Sequence, residues 1–158
     1  MKEREYCLKV KNIDKSIEFI KKEGFILQSE NNETRTIFRN PNKTMARITK
    51  ESNNDGTKTF LDFKEDNLSG NALNIRKESL ALEFVDQDAV LSILDFLNYK
   101  QDNTLIRKRW VFVLGKVICE VDAYYSPSEN YVVSIEGEDF DAVDKFYNKL
   151  LAVESENE

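Results

Sequence analysis

The chain has 158 residues, with 23 Lys and Arg against 29 Asp and Glu, a net charge of -6, and no histidine. A length of roughly 150 residues suits one domain with a buried core, and the lack of imidazole excludes Ser-His-Asp and Cys-His nucleophiles and HExxH zinc sites. Any acid-base or metal chemistry therefore has to run on carboxylates, and Cys7 and Cys119 are too few for a disulfide framework or a four-thiolate zinc site.

Along the chain, Glu5 to Val10 alternates, with Tyr6, Leu8 and Val10 apolar against Glu5, Cys7 and Lys9. Asn12 to Gly24 places Ile13, Ile17 and Ile20 at helical spacing, with Gly24 as a stop signal. Lys58 to Lys64 alternates again, its even face Lys58, Asp62 and Lys64 broken only by Phe60. Asp86 to Leu97 repeats the helical pattern through Val90, Ile93, Leu94 and Leu97. In Leu105 to Val113, Arg107 and Arg109 share a face with Val111, while Lys108 points the other way and Trp110 alternates outward with Phe112. Glu120 and Asp122 oppose Val117, Cys119 and Val121, and Ser134 and Glu136 oppose Tyr131, Val133 and Ile135. A third helix spans Phe140 to Leu151, and the turn-sized stretches Glu51 to Gly56, Glu65 to Asn71 and Ser126 to Asn130 separate the runs. Residues 1–152 read as one domain and residues 153–158 as an acidic tail that frays.

Successive strand residues point to opposite sides, so these strands have one charged and one apolar face. An antiparallel sheet with one side in water accounts for that pattern. So does an α+β fold in which about eight strands close into a barrel, helices cover its outside, and the polar interior takes a highly charged ligand. In the second case the acidic excess forms an outer coat and the interior is basic. The start of the chain has no apolar leader and no stretch approaches the ~20 apolar residues of a membrane span. A soluble, cytoplasmic protein with reduced thiols and no membrane or duplex nucleic acid partner is expected. Monomer and homodimer both stay open.

Glu5-Tyr6-Cys7-Leu8-Lys9 resembles the ExExK opening of the CYTH family, the triphosphate tunnel metalloenzymes. That family includes class IV adenylyl cyclases, thiamine triphosphatases and tripolyphosphatases. Further along, Ala46-Arg47-Ile48 is similar to its LRIR strand, Leu61 to Lys64 to its LTxK strand, and Arg76-Lys77-Glu78 to its RxE strand. Arg107-Lys108-Arg109 resembles the basic pair after the second helix, Val121-Asp122 the Asp-bearing strand, and Ser134-Ile135-Glu136-Gly137 the EIEG segment. The resemblance runs from about Glu5 to Lys149 and implies a closed eight-stranded antiparallel tunnel with charged residues inside.

It also implies a phosphate cradle of Lys9, Arg47, Lys64, Arg76, Arg107 and Arg109, with Arg35 and Lys58 as possible additions. Several cations are what a triphosphate of about four negative charges requires, Arg being suited to bidentate phosphate contact. Glu5, Glu78, Asp122 and Glu136 would hold Mg2+ or Mn2+, hard ions that take oxygen ligands, and Glu5, Glu78 and Glu136 would be catalytic. Four positions depart from the family pattern: Cys7, Leu80 and Ser134 stand where acids are expected, and Arg35 replaces an acid by a base. Cys7 reads as a small neutral filler. The implied activity is metal-dependent hydrolysis of tripolyphosphate or an organic triphosphate. The alternatives are a polyphosphate- or nucleotide-binding module with a degraded metal site, and an adenylyl cyclase.

Overall fold

In the computed structural model residues 2–66 and 73–156 are described. Nine strands and three helices follow in the order β1(Lys2–Lys9), α1(Ile13–Lys22), β2(Ile26–Arg39), β3(Thr44–Asn53), β4(Gly56–Glu65), β5(Leu73–Lys77), β6(Leu82–Glu83), α2(Gln87–Phe96), β7(Lys100–Leu114), β8(Val117–Ser126), β9(Asn130–Gly137) and α3(Phe140–Glu156). The helices begin where the sequence supplies caps. Asn12 Oδ1 accepts from the Lys15 N–H at 3.1 Å and Asp86 Oδ1 from the Ala89 N–H at 3.0 Å, each relieving one of the unpaired donors of a first turn. Gly24, at φ 101°, ends the first helix in the left-handed region.

All nine strands belong to one curled, antiparallel sheet in the order β5-β1-β9-β8-β7-β2-β3-β4-β6. The apolar parity predicted from the sequence forms its outer face. Ile20 of α1 and Val143, Phe146 and Leu150 of α3 bury Phe112, Val121, Val133 and Ile135 on one half of the sheet. Leu94 of α2 covers Phe38, Ala46 and Ile48 on the other half. The opposite parity is left facing inward.

The expected closed eight-stranded barrel is not what forms. Among the described residues the edge strands β5 and β6 each pair with one neighbour only, so the ladder is open between β4 and β5. The two edges meet through a single bridge, Lys64 opposite Glu78, and through the Ser79 N–H, which donates to the Phe63 carbonyl at 2.9 Å. β5 is five residues long and β6 two, too short to zip the seam. A side-chain link, Lys64 Nζ to Glu5 Oε2 at 2.8 Å, spans the same gap.

Helix α3 continues to Glu156, and Glu154 Oε1 accepts from the Lys11 N–H at 3.0 Å, so the segment expected to fray is helical as far as Glu156. Residues 157–158, and most of the turn expected over Glu65 to Asn71, lie outside the described residues. No helix of the described residues is long and apolar enough to cross a membrane.

Gly137 ends β9 where α3 turns back onto the sheet. A Cβ there would stand 2.6 Å from the Lys116 carbonyl oxygen, a backbone atom that cannot rotate away. Gly137→Ala should therefore destabilise the fold by about 1–3 kcal/mol, as overpacking of a filled site does. A urea titration monitored by Trp110 fluorescence would measure it.

Candidate functional site

The inward parity lines a cavity of about 660 Å³, within the usual size of small-molecule sites. Glu5 and Cys7 of β1, Glu33 and Arg35 of β2, Arg47 of β3, Lys58, Asp62 and Lys64 of β4, Arg107 and Arg109 of β7, Asp122 of β8 and Glu136 of β9 all face it. The expectation of a basic interior needs correcting, because among the described residues the lining carries seven Arg and Lys against nine Asp and Glu. A wall of cations alone would repel itself, and each cation taken out of water calls for a counter-charge.

Register supplies those counter-charges. Arg109 stands opposite Asp122 and donates to it twice, Nε to Oδ1 at 2.7 Å and Nη2 to Oδ2 at 2.8 Å, and it also pairs with Glu120. Arg107, opposite Glu33, donates from Nε to Oε2 at 2.8 Å and from Nη1 to the Tyr124 hydroxyl at 3.0 Å. Arg47, opposite Asp62, donates from Nε to Oδ1 at 2.9 Å and also pairs with Glu78. Burial works against the charges of Arg47 and Arg109, yet their acidic partners raise both guanidinium pKa values. Arg35 is different: burial, and then Arg107, Arg47 and Arg109 beside it, push its pKa down to about 9.

A second cluster is acidic. Glu5 lies opposite Glu136 on the β1–β9 ladder, and Glu3 lies opposite Arg76 on the β1–β5 ladder. Burial alone would raise Glu5, but Lys64, a hydrogen bond from Glu136 and Arg76 hold it well below the usual carboxylate range. Its oxygens accept from Lys64 Nζ at 2.8 Å and from Arg76 Nη2 at 2.6 Å. Glu136 goes the other way: burial, then Glu120 and Glu5, push it well above the range. Burial and Glu78 bring Glu3 to about 7. Oxygens of Glu3, Glu78 and Glu136 all lie within 4.8 Å of one another, a set that fits a hard divalent cation.

The placement of the residues predicted from sequence is therefore uneven. Arg47, Lys64, Arg76, Arg107 and Arg109 line one cavity together with Glu5, Glu78, Asp122 and Glu136. Lys9 does not join them. It keeps the parity of Glu5 and Cys7 but is exposed and outside the lining. Of the four acids assigned to a metal, Glu78 and Glu136 belong to this trio and Asp122 and Glu5 do not: Asp122 is bonded to Arg109 and Glu5 to Lys64 and Arg76, although Glu78 too is paired, with Arg47. Glu3 takes the third place. Sequence reasoning passed over it, although it sits two residues before Glu5 and so shares its face. Leu80 is 80% exposed and outside the lining, so the missing acid there leaves the cavity unaltered. Cys7 faces the cavity beside Ser134, and burial and Glu5 raise its thiol to about 11, which keeps it protonated at neutral pH. Lys108 lies outside, bonded to Glu30 at 2.8 Å and resting over the Trp110 ring.

Asp122 is 1% exposed, and its removal would take from Arg109 both hydrogen bonds of its Nε–Nη2 edge, leaving Glu120 on the other side. Burial raises its pKa but Arg109 and Arg107 more than reverse this, so its folded value lies below the ordinary 3.8. The stability it contributes is present above that ordinary value and is lost as pH falls through the folded one. Asp122→Asn should lower stability by about 3–5 kcal/mol near pH 7. Wild type and variant should converge in acid, as read by urea titrations at neutral pH and below pH 3.8.

No family model matches the chain, and no curated protein does. Solved structures do match. The PH1012 protein of Pyrococcus horikoshii OT3 superimposes with a TM-score of 0.75 at 18% identity, covering 94% of this chain and 89% of that one. A candidate adenylate cyclase from Vibrio parahaemolyticus gives 0.64 at 17% identity, covering 96% and 85%. HpAC1 from Hippeastrum, a candidate adenylyl cyclase described as revealing a dominant triphosphatase activity, gives 0.65 at 14% identity, covering 97% and 88%. Nearly the whole chain therefore has the fold of these proteins.

Proposed function

We propose that the protein hydrolyses a linear triphosphate, inorganic tripolyphosphate or an organic triphosphate, with Mg2+ or Mn2+. The observation that carries this reading is an arginine cluster (Arg35, Arg47, Arg107, Arg109) in one cavity with Glu78 and Glu136, the two acids that with Glu3 make up the carboxylate trio. The names of fold neighbours such as HpAC1 support it. The arginines and Lys64 bind and align the phosphates, held in advance in their poses by Asp122, Glu33, Asp62 and Glu5. Glu3, Glu78 and Glu136 would hold the cation. When bound, it offsets charge on the phosphoryl oxygens and activates water. Glu5, kept ionised by Lys64 and Arg76, positions both of these side chains at the seam.

A second reading, polyphosphate binding without turnover, draws on Cys7 and Ser134, neutral groups on the cavity wall 3.4 Å apart where acids were expected. An assay of phosphate release from tripolyphosphate, thiamine triphosphate and ATP with each metal separates the two, and cyclic AMP measured in the ATP arm tests cyclase activity. Release that requires the metal and falls roughly 10–100-fold in Glu3→Gln is the expected result. No release from any substrate with either metal would overturn hydrolysis in favour of binding.

A further inference from the structure

Of the cavity cations, only Arg35 and the exposed Lys58 have no ion pair among the described residues. Arg47, Lys64, Arg76, Arg107 and Arg109 each contact a carboxylate. Among the described residues Arg35 makes one side-chain hydrogen bond, Nε to Thr49 Oγ1 at 2.9 Å, and no carboxylate lies within ion-pair distance of it. Glu33, the acid two residues along the same face, is already engaged by Arg107. Arg107 is itself 2% exposed, and its Nη2 is shut off from water with no hydrogen-bond partner. The cavity thus has one corner where positive charge and donor capacity exceed what the protein supplies to meet them.

We propose that Arg35 and Arg107 form an anion subsite that takes one phosphoryl group of a polyphosphate without any divalent metal. Both terminal nitrogens of Arg35 have no protein acceptor among the described residues, which leaves a two-donor fork for one anion, and Arg107, opposite Glu33 two positions along on the facing strand, adds its positive charge. A phosphoryl group presents three non-bridging oxygens and up to two charges, whereas a carboxylate offers two oxygens and one charge. The depressed pKa of Arg35 agrees with a guanidinium that lacks its counter-ion. The subsite is separate in charge from the Glu3, Glu78 and Glu136 trio, so its occupation needs no cation to neutralise the wall first. The inference rests on the cavity being a polyphosphate site but not on turnover.

Calorimetry of the full chain with tripolyphosphate in excess EDTA tests it, with citrate as the carboxylate comparison. Tripolyphosphate should bind without metal, more tightly than citrate, and Arg35→Gln should weaken it roughly ten- to a hundredfold, the range for losing a charge-assisted contact. Removing a cation crowded by three others should also raise the melting temperature of the ligand-free protein, which a purely structural Arg35 would not do. Absence of metal-free binding in the wild type, citrate binding as tight as tripolyphosphate, or an affinity unchanged in Arg35→Gln would each overturn the subsite. Metal-free binding without hydrolysis would overturn only the proposed enzyme, and hydrolysis without metal-free binding only the subsite.

Discussion

Everything in this fold turns on how the inner face of one sheet keeps so many charges away from bulk water. An unpaired buried ion costs several kcal/mol, so the buried cations, Arg35 excepted, meet an acid at hydrogen-bond distance. The sheet meets this through register. Arg109 faces Asp122, Arg107 faces Glu33 and Arg47 faces Asp62 on adjacent strands, where directly opposed side chains sit about 4.5–5.5 Å apart at Cβ. A slip of one residue in any ladder would turn the charged set toward α1, α2 and α3 and the apolar set into the cavity. The outer core and the inner ion pairs therefore enforce the same register from two sides.

This balance shapes what the cavity can do. A polyphosphate entering it competes with carboxylates already in place, so the gain is the difference between contacts made and contacts given up. In return the guanidinium groups are held still before any ligand arrives, which removes the cost of ordering long side chains. Where a side chain has a partner in place it is set for alignment, and where it has none it is set for capture. Charge count alone conceals the distinction, because the lining as a whole holds more acids than bases.

Much of this was legible in the sequence, because strand parity is a strict geometric rule. Tyr6, Leu8 and Val10 against Glu5 and Cys7, or Trp110 and Phe112 against Arg107 and Arg109, are assigned to faces correctly from alternation alone. The stop at Gly24 is a local signal and is equally readable, whereas the capping by Asn12 and Asp86 was not read from the sequence. Parity, however, does not say how far along a strand the cavity extends. Lys9 obeys the rule and still lies beyond the lining, while Glu3 obeys it and joins the acid trio. Nor does it say which acids are free, since the commitment of Asp122 to Arg109 depends on a partner strand. The open seam was hidden for a similar reason. Whether two edges zip together depends on the length and approach of β5 and β6, set by the curl of the whole sheet.

The position of β1 between β5 and β9 carries a consequence for how the molecule comes together. Glu5 pairs with Glu136, so the first strand finds its place only beside one of the last elements of the chain. Pairings of such long sequence separation are paid late in entropy and belong to slow-folding topologies. Until β9 arrives, β1 has an unpaired flank and Glu5 lacks its neighbour Glu136, and Arg109 meets Asp122 only once β8 has docked. The polar cavity is thus a late product of folding, and a partly folded chain exposes two unpaired strand edges with no functional site between them.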